Sequence, residues 1–337
     1  MQLSEVVGNK KIKNVLLRQA ERNHVSHAYI FEGKSGTGKK TTALAFAKIL
    51  VCENSQSGAA CGMCKACLMA EENAHPDIRL ITNQLYDNSK KSTDVLVDTV
   101  RNMKQEIYIK PYMAARKIYI IPNADTMNVY AQNSILKILE EPPEYCTIIL
   151  IAENANLFLP TILSRAVLLR FLPIPAEEIS LFLQKNFPHL SKTEAEQKAI
   201  MSGGSLKRAI ELLNNSDADK LRNETVNRVL AFVGGKKRSI YDAVLFLKGN
   251  KEDIDFITDI MRDVFCDLLQ IKSGSLLSVI NKDKQYELES AAQKISPAAP
   301  LETLEILLKY KDLLSRNINY AIAVLGMAVE LWEALND

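Results

Sequence analysis

The stretch Gly33-Lys34-Ser35-Gly36-Thr37-Gly38-Lys39 fits the pattern GxxxxGK, and its setting constrains the fold more than any other part of the chain. Before it stands a short apolar-aromatic run, residues 27–31 (HAYIF), and after it a helical pattern over 41–50. A strand, a glycine-rich turn and a helix in that order bring backbone N–H groups and a helix N-terminus to one point, the arrangement that cradles phosphates. Further apolar runs at 78–81, 117–121, 147–152 and 167–171 alternate with helix-like stretches. Such alternation predicts an α/β fold with a mainly parallel sheet covered on both faces.

The loop lacks what a working ATPase needs. The residue after Lys39 ordinarily carries a hydroxyl for Mg²⁺; here it is Lys40, a cation with no acceptor. Thr41 is the nearest hydroxyl, but one helical step turns a side chain by about 100°, away from the ion. The strand expected at 117–121 should end in an Asp-Glu pair to hold the metal and orient the nucleophile; it runs into Pro122-Asn123-Ala124-Asp125 instead. Asp125 lies beyond the Pro-Asn turn, where a helix N-cap is its expected role. Lys39 and the backbone donors remain, so ATP binding stays open while hydrolysis is not expected.

Four of the six cysteines, Cys52, Cys61, Cys64 and Cys67, fall within sixteen residues directly after the P-loop helix. In a reducing compartment such a cluster favours metal over disulfides, and four thiolates close a tetrahedral Zn²⁺ site with no open position, so a structural zinc is expected. An iron–sulfur cluster would want a further cysteine beside proline, which 68–71 (LMAE) does not supply. Cys146 and Cys266 stand alone and are expected to be buried.

Composition narrows the function classes. At 337 residues, 47% hydrophobic and 24% charged, the chain can bury a sizeable core in two or three domains. A net charge of +2 provides no long-range field toward DNA or membrane. The longest apolar stretch, 320–329, falls short of the roughly 18 to 20 residues that cross a bilayer, and residues 1–13 have no apolar signal region, so a cytosolic protein without a membrane partner is expected. Past Pro173-Ile174-Pro175 the pattern turns helical at 176–186, 192–201 and 205–214; the polar run 214–223 reads as a linker, and Phe256, Ile257, Ile260, Met261, Val264, Phe265, Leu268 and Leu269 mark a further helical face.

The P-loop, the cysteine insert after its helix, and residues 133–166 (NSILKILEEPPEYCTIILIAENANLFLPTILSRA) together resemble bacterial clamp-loader subunits of the AAA+ class, over roughly residues 1–215. The resemblance implies an AAA+ P-loop domain with a mainly parallel sheet over 1–173, carrying a four-cysteine zinc module at 52–67, then a helical lid at 174–214 and an all-helical collar for oligomerisation at 215–337. It implies a place in the clamp loader of the DNA polymerase III holoenzyme, a hetero-pentamer with gamma/tau- and delta-type subunits that loads a sliding clamp on primer-template DNA. Ser164 and Arg165 stand where the family has a Ser-Arg-Cys motif whose arginine reaches an adjacent subunit's ATP; Ala166 replaces the cysteine. Lys207, in 203–208 (GGSLKR), stands where a sensor arginine faces nucleotide, and Glu153 or Asn154 where the first sensor belongs. Gly33, Gly36, Gly38, Lys39, Lys40 and Thr41 form the degenerate nucleotide loop. Every departure points to a stator, a largely non-hydrolysing subunit that lends Arg165 to a neighbour.

Three other readings compete: an active gamma/tau-type loader ATPase with unorthodox metal ligands, a small-molecule P-loop kinase, and direct DNA binding through Lys10-Lys11, Lys90-Lys91 or Lys236-Lys237-Arg238. The kinase reading lacks an acceptor-binding set. No aromatic residues interleave the basic runs in sequence, so they read first as solvated surface.

Overall fold

The computed structural model describes residues 2–55, 58–86, 94–214, 216–274, 279–315 and 319–336, which form two compact units, Met1–Ala209 and Ile210–Asp337. In chain order the elements are α1 (Lys10–Glu21), β1 (Ala28–Glu32), α2 (Lys39–Val51), α3 (Lys65–Glu71), β2 (Ile78–Leu80), α4 (Asn83–Tyr86), α5 (Val97–Glu106), β3 (Lys117–Ile121), α6 (Val129–Glu140), β4 (Cys146–Ala152), α7 (Pro160–Leu163), β5 (Val167–Arg170), α8 (Ala176–Asn186), α9 (Lys192–Met201), α10 (Leu206–Asn214), α11 (Ser216–Phe232), α12 (Arg238–Gly249), α13 (Ile254–Lys272), α14 (Gln285–Lys294), α15 (Ala299–Ser315) and α16 (Tyr320–Asn336). Short 3₁₀ turns join several of them.

The five strands make one sheet in the order β2-β3-β4-β1-β5, and every pairing is parallel. Consecutive side chains of β1, β3 and β4 divide between two cores, as the period of two requires. Ile30, Tyr119, Ile121, Ile148 and Leu150 pack with Val100, Met103, Ile135 and Ile138 of α5 and α6, whereas Tyr29, Phe31, Ile118, Ile120, Ile149 and Ile151 pack with Leu16 and Phe46 of α1 and α2. Covered on both faces, these strands read as unbroken apolar runs, which is why their positions were legible in sequence.

The loop ahead of β3 is tied to a buried carboxylate. Asp77 is buried, and its carboxylate accepts from the backbone N–H groups of Tyr112, Met113 and Ala114 at 2.6, 2.9 and 2.9 Å. Burial alone would push the carboxyl up, but the three donors outweigh it and hold Asp77 below its ordinary value.

The second unit is wholly helical among the described residues. Around α13, the side chains of Ile257, Ile260, Met261, Val264, Phe265 and Leu268 are buried as the apolar face predicts, while Phe256 is only partly covered. A polar network runs beside this core: buried Asp267 accepts from Ile280 N at 2.7 Å and Asn281 N at 2.9 Å, and Arg222 grips Asp283 through two bonds at 2.8 and 2.7 Å. One expectation fails here. The run read as a linker opens α11: Leu221 packs against the core and Arg222 is buried on Asp283, so a polar composition hid an inward face. On α16 the buried face is Val324, Met327, Ala328, Leu331 and Leu335, with Leu325 turned outward. Gly326 lies close to α15: a Cβ there would stand 2.4 Å from the Tyr310 hydroxyl.

Asp77 generates a pH-dependent outcome. Its folded pKa lies below the unfolded value near 3.8, so its stabilisation is fully present above that pH and is lost as pH falls through the folded value. Asp77→Asn is expected to lower stability at neutral pH by about 1–3 kcal/mol, with the gap to the parent closing below about pH 4, read from urea midpoints at a series of pH values.

Candidate phosphate loop, cysteine cluster and rim arginine

The phosphate loop begins where β1 ends. Gly33, Gly36 and Gly38 have φ of 149°, 76° and 87°, conformations that L side chains rarely adopt. Two of them also allow close contact. A Cβ on Gly33 would lie 2.3 Å from the Phe171 carbonyl oxygen, and one on Gly36 would lie 2.0 Å from Ser205 Oγ. The Leu206 N–H donates to the Gly36 carbonyl at 3.0 Å, so the turn before α10 is joined backbone to backbone with the loop. Lys207 shares this turn, its Cβ 3.0 Å from that same built atom on Gly36.

Lys39 is buried, and its ammonium donates to the carbonyls of Gly33 and, at 2.7 Å, Lys34. Burial lowers its pKa, against the pull of Glu153 and Asp125. Lys40 projects into solvent and Thr41 is half-buried. Asp125 does not cap a helix: its carboxylate accepts from the Glu153 and Asn154 N–H groups at 2.8 and 3.2 Å, tying the end of β3 to the end of β4. The Asn154 side chain is spent on its own turn, accepting from Asn156 N at 3.0 Å. Glu32, a carboxylate that sequence reasoning passed over although it directly precedes Gly33, accepts from Ala155 N and Arg170 Nε, both at 3.0 Å.

The four cysteines come together. Cys52 caps the C-terminus of α2, Cys64 caps the N-terminus of α3, and Cys67 lies within α3. Their sulfurs all lie within 4.8 Å of one another, with Cys52–Cys64 and Cys61–Cys67 at 4.0 Å. A tetrahedral ion with metal–sulfur bonds of about 2.3 Å needs sulfurs roughly 3.8 Å apart, so the set fits such an ion with little movement. Three backbone N–H groups, of Cys61, Cys64 and Cys67, point at sulfurs of Cys52, Cys61 and Cys64 at 3.3 to 3.4 Å, the donors that stabilise thiolates. Backbone donors, Met63 first, bring Cys61 down to about 6, while burial pushes Cys67 up to about 12. Lys48, buried on α2, donates to Glu71 of α3 at 2.6 Å and clamps the module's two helices. Cys146 is buried within β4, and Cys266 only half so.

Arg165 and Ser164 sit just before β5. The Arg165 guanidinium donates to Thr161 O at 3.0 Å and Ser164 Oγ at 3.1 Å and pairs with Glu140 at 3.1 Å, a partner that no local sequence pattern announces. Because β5 runs parallel to β1, with Val167 opposite Tyr29 and Arg170 opposite Glu32, Arg165 lies at the strand-start rim and the phosphate loop at the other. Four residues of paired strand, roughly 13 Å, separate them. Of the basic runs, Lys90 and Lys91 lie outside the described residues.

Comparison with known proteins agrees with this geometry. Family models described as "DNA polymerase III, delta subunit" and "DNA polymerase III, delta subunit, C terminal" match residues 8–175 and 216–331. The chain is 29% identical over 92% of its length to the DNA polymerase III subunit delta' of Bacillus subtilis, covering 92% of that protein, and 33% identical over 53% to that of Pseudomonas aeruginosa, covering 53% of it. It is 28% identical over 90% of its length to the B. subtilis DNA polymerase III subunit tau, covering 57% of that longer protein. With two such models spanning most of a chain whose P-loop opens an all-parallel sheet ahead of a helical C-terminal unit, the protein belongs to the DNA polymerase III delta-prime subunit family.

Proposed function

We propose that this clamp-loader subunit is a stator: it hydrolyses little or no ATP and lends Arg165 to the ATP site of an adjacent gamma/tau-type subunit. The position of Arg165 carries this reading. It lies a strand's length from its own phosphate loop, a placement that suits a site on another chain better than its own. A guanidinium set against a γ-phosphate stabilises the charge that develops as the phosphoryl group transfers. Ser164 would orient it, since the two side chains are already bonded.

The phosphate loop supports the same reading from the other side. Lys40 stands where the metal's hydroxyl ligand belongs, Asp125 is engaged by two backbone donors, and the Lys39 ammonium is held by the loop's own carbonyls. Gly33, Gly36, Gly38, Lys39, Thr41 and Lys207 keep enough donors to hold a nucleotide without cleaving it. The cysteine set is proposed as a structural zinc site, the ion closing the module between α2 and α3. The assembly would be a cytoplasmic hetero-pentamer with gamma/tau- and delta-type partners, acting on a sliding clamp and primer-template DNA. In it the helical units 174–214 and 215–337 would serve as lid and collar.

Three outcomes test these assignments. Arg165→Ala is expected to leave assembly intact and slow single-turnover hydrolysis at the neighbouring site by at least about tenfold, such fingers contributing roughly 10³ to 10⁵; unchanged turnover removes the finger. The isolated chain with Mg²⁺ and primed DNA is expected to release no phosphate above background; turnover abolished by Lys39→Ala would make it an ATPase instead. Elemental analysis is expected to find about one zinc per chain, and Cys64→Ser to lose the metal and lower the melting temperature.

A further inference from the structure

The second unit carries a basic surface that the stator reading does not use. Between Gly234 and Lys251 five cations, Lys236, Lys237, Arg238, Lys248 and Lys251, stand against one carboxylate, Asp242. Lys236, Lys237 and Arg238 are exposed, and none of them forms an ion pair among the described residues. They cluster at the start of α12, a helix with no acidic residue in its first turn. Cations at that end oppose the helix dipole, so the run gains nothing in stability from its position.

Aromatic side chains flank the run, one near it in sequence and one far away. Arg238, Tyr241, Leu245 and Lys248 follow one another at spacings of three, four and three, one face of α12, and Tyr241 and Leu245 on it are 64% and 51% exposed. From the far end of the chain Trp332 of α16 comes to the same turn, its indole N–H donating to Gly235 O at 3.2 Å, while Asn336 donates to Phe232 O at 2.8 Å. A Cβ at Gly235 would meet Ala231 O at 2.0 Å, so the tight turn that holds the three cations beside the indole requires glycine. Lys251, at the other end of α12, lies over the Tyr320 ring at 5.3 Å.

We propose that the Lys236-Lys237-Arg238 turn, with Tyr241 and Trp332 beside it, binds single-stranded DNA. Phosphates would take the three cations, and a base would stack on the exposed Tyr241 ring; this pairing of backbone charge with an aromatic platform is how single strands are held without sequence readout. A duplex offers the phosphates but keeps its bases stacked inside, so it would gain only the charge contribution.

The chain contains one tryptophan, which makes the site self-reporting. Full-length protein titrated with an oligothymidylate of about 16 nucleotides is expected to change Trp332 emission saturably, with affinity falling as salt rises from about 50 to 200 mM. The triple substitution Lys236→Ala, Lys237→Ala, Arg238→Ala is expected to flatten the log–log salt slope by about 2, at roughly 0.7 per phosphate contact. Tyr241→Ala is expected to weaken binding about fivefold or more and leave the slope unchanged. These side chains are exposed, so melting temperatures should stay at the parent value. No binding, equal binding of heparin or of duplex of matched charge, or a triple variant that binds like the parent overturns the site. Because the isolated chain is measured, failure here leaves the Arg165 assignment untouched, and loss of the Arg165 effect leaves this one.

Discussion

One backbone joint governs the candidate nucleotide site: the hydrogen bond from Leu206 N–H to Gly36 C=O, made possible because Gly36 carries no Cβ to strike Ser205. Through it the loop after β1 and the turn before α10 hold a fixed distance. Gly33 does the same toward β5, where its missing Cβ admits the Phe171 carbonyl. Glycines usually invoked for contact with phosphate therefore also carry contacts within the chain. The loop is a structural corner of the first unit whether or not a nucleotide occupies it.

The charges around that corner are largely satisfied internally. Asp125 bonds the ends of β3 and β4 together, Glu32 bonds the loop after β4 and Arg170, and Lys39 bonds its own loop. These two carboxylates tie strand ends and the loop after β4 together, so the corner keeps its shape.

How much of this was legible in sequence follows from physical range. Strands buried on both faces announce themselves as apolar runs, and β3 appears at the residues expected. The cysteine cluster was legible because it is local, its four sulfurs brought together by the spacing around two helix ends. Partners distant in sequence were not. Nothing in residues 160–166 points to Glu140, nothing near Gly36 points to Ser205, and one aromatic neighbour of the Lys236-Lys237-Arg238 turn, Trp332, lies almost a hundred residues away. The linker reading failed because a polar run can still be helical, and Asp283, the partner that holds the buried Arg222, is distant in sequence.

The ion pair between Arg165 and Glu140 gives the rim arginine a resting place. Both side chains are about a third to a half exposed, so solvent screens the pair and its net strength is about 1 kcal/mol or less. The same guanidinium also donates to Thr161 O and Ser164 Oγ, so three acceptors from its own surface fix where the charge rests. Of the three only Glu140 is charged, and because solvent screens that pair, the resting position is set by direction more than by strength.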